Sequence, residues 1–272
     1  MNILFYQLYK LFVIIQIFKL YKHFMHYKFI KKIIGAFGYK LIDKNLIKND
    51  RLVSKYTHLT INNILTNLFN SNKVNSIIQI GSNDGIRFDK LNYFIKKHNP
   101  FAIFVEPIIT NFENLKKNYS IKENFIFENS AISVNNEFNE LFKVKESSLH
   151  LYDDHIIGIT SFDQKHLIKH GVDKNHITKE VVNSISIKEL LMKHSIENFD
   201  LLYMDTEGYD AKIVIDFFKN SRIRPMILFE YIHTKNQSLN EALKLLEKNK
   251  YIIFKIEENI FGFPEENKIR IF

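Results

Sequence analysis

The sequence has 272 residues, of which 46% are hydrophobic and 25% charged, a composition that excludes a wholly disordered chain. It has no cysteine, which excludes disulfides, thiolate metal sites and cysteine nucleophiles and is compatible with the cytoplasm, where we expect the protein. The net charge of +8 is uneven, because residues 1–50 carry nine lysines against two aspartates whereas residues 51–272 are nearly neutral. We therefore expect no nucleic-acid partner for the main body.

Residues 1–50 are predicted to form a basic, aromatic-rich helical arm. The uninterrupted apolar run Leu11–Ile15 is too short to span a bilayer, and Lys10 near mid-bilayer would cost about 2.5–3.5 kcal/mol. No small-residue cleavage site precedes Lys31, which disfavours a signal peptide. Lysines interleaved with aromatics favour peripheral contact of residues 1–34 with an anionic membrane surface. A helix packed on its own domain and a true membrane span are the alternatives.

Residues 51–75 are expected to form a helical lead-in, with a helix near 58–69, and residues 76–272 to form one domain. Within that domain, short apolar runs alternate with helical patterns. Five apolar runs are predicted to be buried strands: 76–80, 101–105, 124–128, 200–204 and 225–230. Helices are predicted between or after them: 86–98, 111–119, 186–194, 209–219 and 238–249. Capping boxes are predicted to open three of these helices, formed by Thr110 with Glu113, Ser186 with Glu189, and Ser238 with Glu241.

This alternation predicts an α/β fold with a mainly parallel sheet and helices on both faces. Residues 138–144 are expected as an extra strand, and 251–256 and 268–272 as late strands that could pair as a hairpin. Residues 145–180 break the alternation and hold five of the eleven histidines. Long irregular insertions in compact domains usually bind ligands or cover sites, so we expect a binding loop there.

The turn Gly81–Gly85, after the first predicted strand, carries the first chemical signal. Asn83 stands where the dinucleotide fingerprint needs its second glycine, which disfavours a pyrophosphate and permits a ligand without phosphates, such as S-adenosylmethionine. Glu106 ends the second predicted strand, where a carboxylate can accept two hydrogen bonds from a ribose diol; a solvated loop acid is the alternative. Asp84 could face the cationic part of that ligand or cap a helix.

The segment Asp205–Asp210 follows the fourth predicted strand and presents several carboxylates. Such acids beside a cleft suit substrate orientation, a general base, or a site for a hard metal ion. After the next strand, Glu230 is followed by His233, a side chain suited to accept a proton near neutral pH. His166 and His170 have the i,i+4 spacing that can ligate a metal on a helix, although no acid nearby in sequence completes that site.

Six segments, taken together and in order, resemble FkbM-like S-adenosylmethionine-dependent methyltransferases over roughly residues 76–262. They are GSNDGIRFDKLNYFI, AIFVEP with NFENLKKNY, FIFENSAIS, GITSFDQKHL, FDLLYMDTEGYDAKIV and MILFEYIH. The resemblance implies a class I methyltransferase Rossmann-like fold with S-adenosylmethionine as cofactor. It also implies O-methylation of a hydroxyl on a sugar, glycolipid, polysaccharide or natural-product acceptor.

The same resemblance assigns roles to individual residues. It implies a cofactor site in which Gly81, Asn83, Asp84 and Gly85 contact the methionine part, Glu106 the ribose, and Ser130 and Ala131 the adenine side, with Asp205 close by. Asp205, Glu207 and Gly208 match the family's D-x-E-G motif, and Phe162 and His166 match a piece found in some members. Gln79 departs from the commoner Asp, and Asp210 from the commoner Glu, so one cofactor contact and the role of the second acid stay open.

We therefore predict Asp205 to position the acceptor hydroxyl, with His233 as the leading base and His166 as the second candidate. Asp205, Glu207 and Glu230 could together hold a divalent metal ion, which the sequence leaves unproven. Two other functions remain open. An NAD- or nucleotide-sugar-dependent oxidoreductase shares the strand-turn-helix start and the ribose acid, and a non-catalytic membrane-surface binding protein would use the arm.

Overall fold

The computed structural model of the protein describes residues 59–134, 137 and 139–266. The predicted arm of residues 1–50 and the predicted terminal strand of residues 268–272 lie outside these described residues. None of the helices in the described part of the chain is both long enough and apolar enough to cross a membrane.

A seven-stranded sheet forms the centre of the described domain. The strands of the described residues, in chain order, are β1 (Ser76–Ile80), β2 (Phe101–Val105), β3 (Phe125–Glu128), β4 (Ala131–Ile132), β5 (Glu140–Val144), β6 (Ile177–Val181), β7 (Ser184–Ile185), β8 (Leu201–Met204), β9 (Met226–Glu230), β10 (Tyr251–Ile256) and β11 (Asn259–Pro264). The large sheet has the order β10–β11–β9–β8–β1–β2–β3. All its neighbours are parallel except β11, which runs antiparallel to both β9 and β10.

The strand order reverses at β1, because β2 and β3 lie on one side of it and β8 and β9 on the other. In open parallel sheets, ligands bind where the strand order reverses, beyond the carboxyl ends of the strands. The predicted α/β fold class is therefore confirmed, and this edge of the sheet is where the polar strand ends converge.

Helices cover both faces of the sheet. They are α1 (Ile61–Asn70), α2 (Asn92–His98), α3 (Ile109–Tyr119), α4 (Asp154–Gly158), α5 (Gln164–Lys169), α6 (Ile187–Lys193), α7 (Asp210–Asn220) and α8 (Asn236–Lys248). One apolar cluster packs α1, α2 and α3 against the sheet, and a second packs α6, α7 and α8 against the other face. The strands between them are buried on both faces, which explains their nearly continuous apolar sequences.

Three local predictions are corrected. The helix predicted over 86–98 begins only at Asn92, and the residues before it form turns. The capping boxes predicted at Thr110 and Ser238 are absent, because α3 begins two residues and α8 three residues earlier than each box requires. The box of Ser186 with Glu189 is confirmed, with both reciprocal hydrogen bonds present at the start of α6.

The segment 145–180 is ordered rather than irregular. It contains two short 3₁₀ helices (Glu146–Leu151 and Lys174–His176), the helices α4 and α5, and strand β6, which pairs antiparallel with β5. Val144, Ile159 and Leu167 give it a small apolar core of its own. The late hairpin is formed by β10 with β11, a strand that the sequence analysis missed.

Candidate functional site

A cavity of about 550 Å³ opens at the carboxyl ends of β1, β2, β8 and β9. Most of the predicted site residues line it: Gly81, Asn83, Glu106, Ser130, Ala131, Phe162, Asp205, Glu207, Glu230 and His233. The sheet topology brings these residues together, although more than 150 positions separate the first from the last. The cavity is large enough for a nucleoside-sized ligand together with part of a second molecule.

Gly81 joins β1 to the floor of the cavity. A Cβ atom at this position would lie 2.0 Å from the carbonyl oxygen of Asp205, so only glycine lets the ends of β1 and β8 approach so closely. The backbone N–H groups of Gly81 and Ser82 both donate to the carbonyl of Val105, at 3.0 and 3.1 Å. The first turn is thereby fixed to the end of β2.

Glu106 is held with its carboxylate at the cavity wall. Its Oε2 accepts from the backbone N–H of Asn83 at 2.9 Å, and its Oε1 accepts from the backbone N–H of Ile108 at 2.9 Å. Burial raises the pKa of this carboxyl to about 7. Each carboxylate oxygen can accept more than one hydrogen bond, so both can still receive a hydrogen bond from a diol.

Asp84 and Gly85 are not among the residues that line the cavity. Asp84 instead accepts from the backbone N–H groups of Ile86 and Arg87 and from the Arg87 Nε, which keeps the pKa of its carboxyl below the ordinary value despite partial burial. Gly85 packs under Leu115 and Tyr119. The structure thus gives these two predicted cofactor residues a local role in shaping the turn.

Ser130 and Ala131 lie across the cavity, in the turn after β3. The Ser130 hydroxyl donates to Glu128 Oε1 at 2.8 Å, and the other oxygen of Glu128 contacts His194 Nε2 at 2.9 Å. These hydrogen bonds, together with Lys193, keep the pKa of Glu128 below its ordinary value although burial opposes this. The turn that carries Ser130 and Ala131 is therefore anchored to the end of α6.

The D-T-E-G turn after β8 is fixed by Asp210, whose role the sequence left open. Asp210 is fully buried and accepts from the Thr206 hydroxyl at 2.8 Å and from the Gly208 backbone N–H at 3.3 Å. Gly208 has a φ of +100°, and a Cβ there would lie 2.6 Å from the carbonyl oxygen of His233. Glycine is thus required both for the turn and for its contact with the loop that carries His233.

Asp205 lines the cavity, and its carboxyl group is largely removed from solvent. Its nearest hydroxyl is that of Tyr203, 3.5 Å from Oδ2, too long for a strong hydrogen bond. Burial, followed by repulsion from Asp210, raises the pKa of Asp205 to about 7. The group can therefore be found in either protonation state near neutral pH, as a proton-handling residue requires.

Three histidines from two distant parts of the chain meet beside Asp205. The ring centres of His166, His170 and His233 lie 4.6–4.8 Å from one another. His166 Nε2 donates to Glu207 Oε2 at 2.9 Å, while His233 Nε2 lies 3.9 Å from Glu207 Oε2. Burial and the neighbouring imidazoles lower the pKa values of His170 and His233, so both rings are neutral at physiological pH. We call His166, His170, His233 and Glu207 the histidine cluster.

Glu230 borders the histidine cluster. Burial and the nearby carboxylates of Asp205 and Glu207 raise the pKa of Glu230 to about 9. Within the described residues, two groups could hold a metal ion: the three histidines of the cluster, and Glu207 with Glu230 and His233. Asp205 belongs to neither group, and the metal set of Asp205, Glu207 and Glu230 stays a prediction.

The sequence analysis missed several residues of the cavity wall. Arg87, Phe88, Asp89 and Lys90 line the cavity because the residues before α2 form turns rather than the predicted helix. Asp89 accepts from the amide of Gln79 at 3.1 Å, so an acid is present beside the position where Gln79 replaces the commoner Asp. The i,i+4 spacing of His166 and His170 was the one signal that pointed to His170, which also lines the cavity.

The sequence profile of the Methyltransferase FkbM domain matches residues 79–253, more than half of the chain. Comparison with curated protein sequences gives no match. An O-methyltransferase from Bacillus cereus in complex with SAH is 9% identical, with 86% of this chain and 96% of that chain covered and a TM-score of 0.41. Methanococcus jannaschii fibrillarin, a pre-rRNA processing protein, is 13% identical, with coverages of 71% and 67% and a TM-score of 0.38. A SAM-dependent O-methyltransferase from Thermotoga maritima is 9% identical, with coverages of 79% and 70% and a TM-score of 0.36.

Proposed function

The chain belongs to the FkbM methyltransferase family and is an S-adenosylmethionine-dependent methyltransferase, and we propose that it methylates a hydroxyl oxygen of a sugar, glycolipid, polysaccharide or natural-product acceptor. The observation that carries this proposal is the lining of one cavity, which combines two kinds of side chain. Glu106 and the glycine turn suit a nucleoside cofactor, and Asp205, His170 and His233 suit an acceptor hydroxyl. The sequence has no cysteine, and the histidines and carboxylates that line the cavity can transfer a proton near neutral pH.

The cavity wall beside Glu106 suits the nucleoside of the cofactor. The Glu106 carboxylate, oriented by two backbone N–H groups, would accept the ribose hydroxyls. Gly81 and Asn83 would lie along the methionine part, and Ser130 with Ala131 beside the adenine. When bound, S-adenosylmethionine supplies the methyl group on a sulfonium. The side chains of this chain then have to orient the acceptor oxygen and take its proton.

Asp205 and the histidines of the cavity wall suit the acceptor. Asp205 would accept a hydrogen bond from the hydroxyl and orient its oxygen, a role supported by its position at the end of β8 and its lack of a strong partner. His233 is the leading base because it lines the cavity and its neutral ring can accept a proton. His166 is the second candidate, because Glu207 orients its ring but it does not line the cavity.

Transfer of a radiolabelled methyl group from S-adenosylmethionine to a panel of sugars, glycolipids and polyphenols tests the proposal. We expect Asp205→Asn and His233→Ala to lower turnover by about 10²–10⁴-fold, the usual contribution of general acid–base catalysis. His150→Ala is the matched control, because this side chain is exposed and does not line the cavity. Wild-type turnover in both His233→Ala and His166→Ala would refute the base assignment. Methyl transfer only to nitrogen acceptors would refute O-methylation.

We also propose that residues 1–34 bring the enzyme to an anionic membrane surface, where a lipid-linked or surface-bound acceptor would be met. The proposal is supported by the lysine-rich, aromatic sequence of this segment. Deleting residues 1–34 should abolish co-sedimentation with anionic vesicles and leave binding of S-adenosylhomocysteine intact. Vesicle binding by the shortened chain would contradict it.

A further inference from the structure

Two buried ring nitrogens in the histidine cluster have no hydrogen-bond partner among the residues that the structure describes. They are Nε2 of His170 and Nδ1 of His233. A buried polar atom without a partner is destabilising, so such atoms in a site indicate that a ligand can complete them. The carboxylate of Glu230, at the edge of the cluster, has a buried unpartnered oxygen as well. His170, His233 and Glu230 thus each keep one polar atom that a ligand could complete.

The three histidines lie close enough together to form an ion site. The ligand atoms of His166, His170 and His233 all lie within 4.8 Å of one another, close enough for small side-chain rotations to bring them onto one ion. Glu207 adds an oxygen 2.9 Å from His166 Nε2. Three imidazoles and one carboxylate make the four ligands, and the single negative charge, that suit a tetrahedral divalent ion.

Several features of the backbone bring the residues of the histidine cluster together. His166 and His170 are spaced i,i+4 on α5 and at its C-terminal end, so both face the turns after β8 and β9. Glu207 has a φ of +54°, a conformation that costs energy for a residue with a side chain and that clusters at functional sites. Gly208 admits the carbonyl of His233 at a distance that no other residue would allow.

We propose that His166, His170, His233 and Glu207 bind one divalent transition-metal ion of the class that imidazole ligands favour, with Zn²⁺ and Co²⁺ as the probes. Binding displaces the proton that His166 shares with Glu207, and Glu230 remains as a neighbouring oxygen donor. The inference goes beyond the proposed function and does not rest on it. While His233 ligates an ion, the coordinated nitrogen cannot accept a proton, so its role as a base would require the ion-free site.

Equilibrium dialysis of the full chain against Zn²⁺, with metal counted by mass spectrometry, tests the proposal directly. We expect His170→Ala and Glu207→Gln each to weaken the binding of one ion per chain by at least about tenfold. His150→Ala is the matched control, because His150 is exposed and lies outside the cluster. The visible absorption of bound Co²⁺ should report nitrogen ligands in the wild type and change in both variants.

A second readout keeps the test decisive if a variant folds poorly. Saturating Zn²⁺ should raise the unfolding temperature of the wild type and of His150→Ala, and raise it less in Glu207→Gln, which keeps the shape of the side chain. Zinc stoichiometry and thermal shift that are the same in the wild type and every cluster variant would overturn the proposal. So would binding of Mg²⁺ in preference to Zn²⁺, which would assign the site to the carboxylates of Glu207 and Glu230.

Discussion

Ionisation of Glu106 should control cofactor affinity near neutral pH. Burial raises the pKa of this carboxyl from an ordinary 4.5 to about 7, and only the carboxylate can accept a ribose hydrogen bond at each oxygen while keeping its two backbone donors. A group with this pKa is about one-tenth ionised at pH 6 and about nine-tenths ionised at pH 8. The Kd for S-adenosylhomocysteine should therefore fall about tenfold between these pH values, equivalent to about 1.4 kcal/mol.

The sign of the stability effect is opposite to that of the binding effect. Because the folded pKa lies above the unfolded one, the contribution of Glu106 to folding stability falls as the pH rises from about 4.5 to about 7. Cofactor binding favours the carboxylate and should release a proton near pH 7.

Calorimetric titrations at pH 6, 7 and 8, in buffers with different heats of ionisation, measure both the affinity and the released proton. The neutral variant Glu106→Gln should bind more weakly, with a Kd that no longer depends on Glu106 ionisation. A pH-independent Kd in the wild type would refute this reasoning, as would an unchanged pH dependence in Glu106→Gln.

Three further predictions concern the turns that hold the site. Gly208→Ala should lower the unfolding temperature more than Gly171→Ala, because both glycines have a positive φ but only a Cβ at position 208 would meet another atom, 2.6 Å away. The backbone strain common to both variants costs about 1–3 kcal/mol. Equal losses of stability in the two variants would contradict the importance of the close contact. Gly81→Ala should weaken binding of S-adenosylhomocysteine at least about tenfold by separating β1 from β8. Gly171→Ala, which also has a positive φ but whose Cβ would meet no atom within 4 Å, should have a much smaller effect on the Kd. Similar Kd values for the two variants would show that the close approach is not needed. Asp210→Ala should lower both the unfolding temperature and the rate of methyl transfer, because it leaves the Thr206 hydroxyl and the Gly208 N–H without their acceptor. A wild-type unfolding temperature together with a wild-type rate would contradict a structural role for Asp210.

The sheet could be predicted from the sequence because each of its central strands is a local run of apolar residues. Runs such as SIIQI and FAIFV are buried on both faces, so the apolar residues are continuous and the polar residue that follows marks the strand end. The helix predicted over 86–98 failed for an equally local reason. The carboxylates of Asp84 and Asp89 bind backbone N–H groups of the following residues and stabilise turns that compete with the first helical turns.

Only part of the candidate site could be predicted from the sequence. Glu106, Asp205 and His233 could be chosen because each follows a strand, and strand ends meet at one edge of a parallel sheet. The contact of His166 with Glu207 depends on how the segment 145–180 folds over the sheet. No periodicity in that segment reveals this, so Glu207 could be named as a possible metal ligand but its contact with His166 was missed.

The central claim is that the cavity at the ends of β1, β2, β8 and β9 binds S-adenosylmethionine. Calorimetric titration of the purified full chain with S-adenosylmethionine, S-adenosylhomocysteine and NAD, with Glu106→Ala alongside, tests it most directly. We expect the first two ligands to bind with a stoichiometry near one, NAD not to bind, and Glu106→Ala to lose binding of both. Binding of NAD, without binding of S-adenosylmethionine or S-adenosylhomocysteine, would contradict the account.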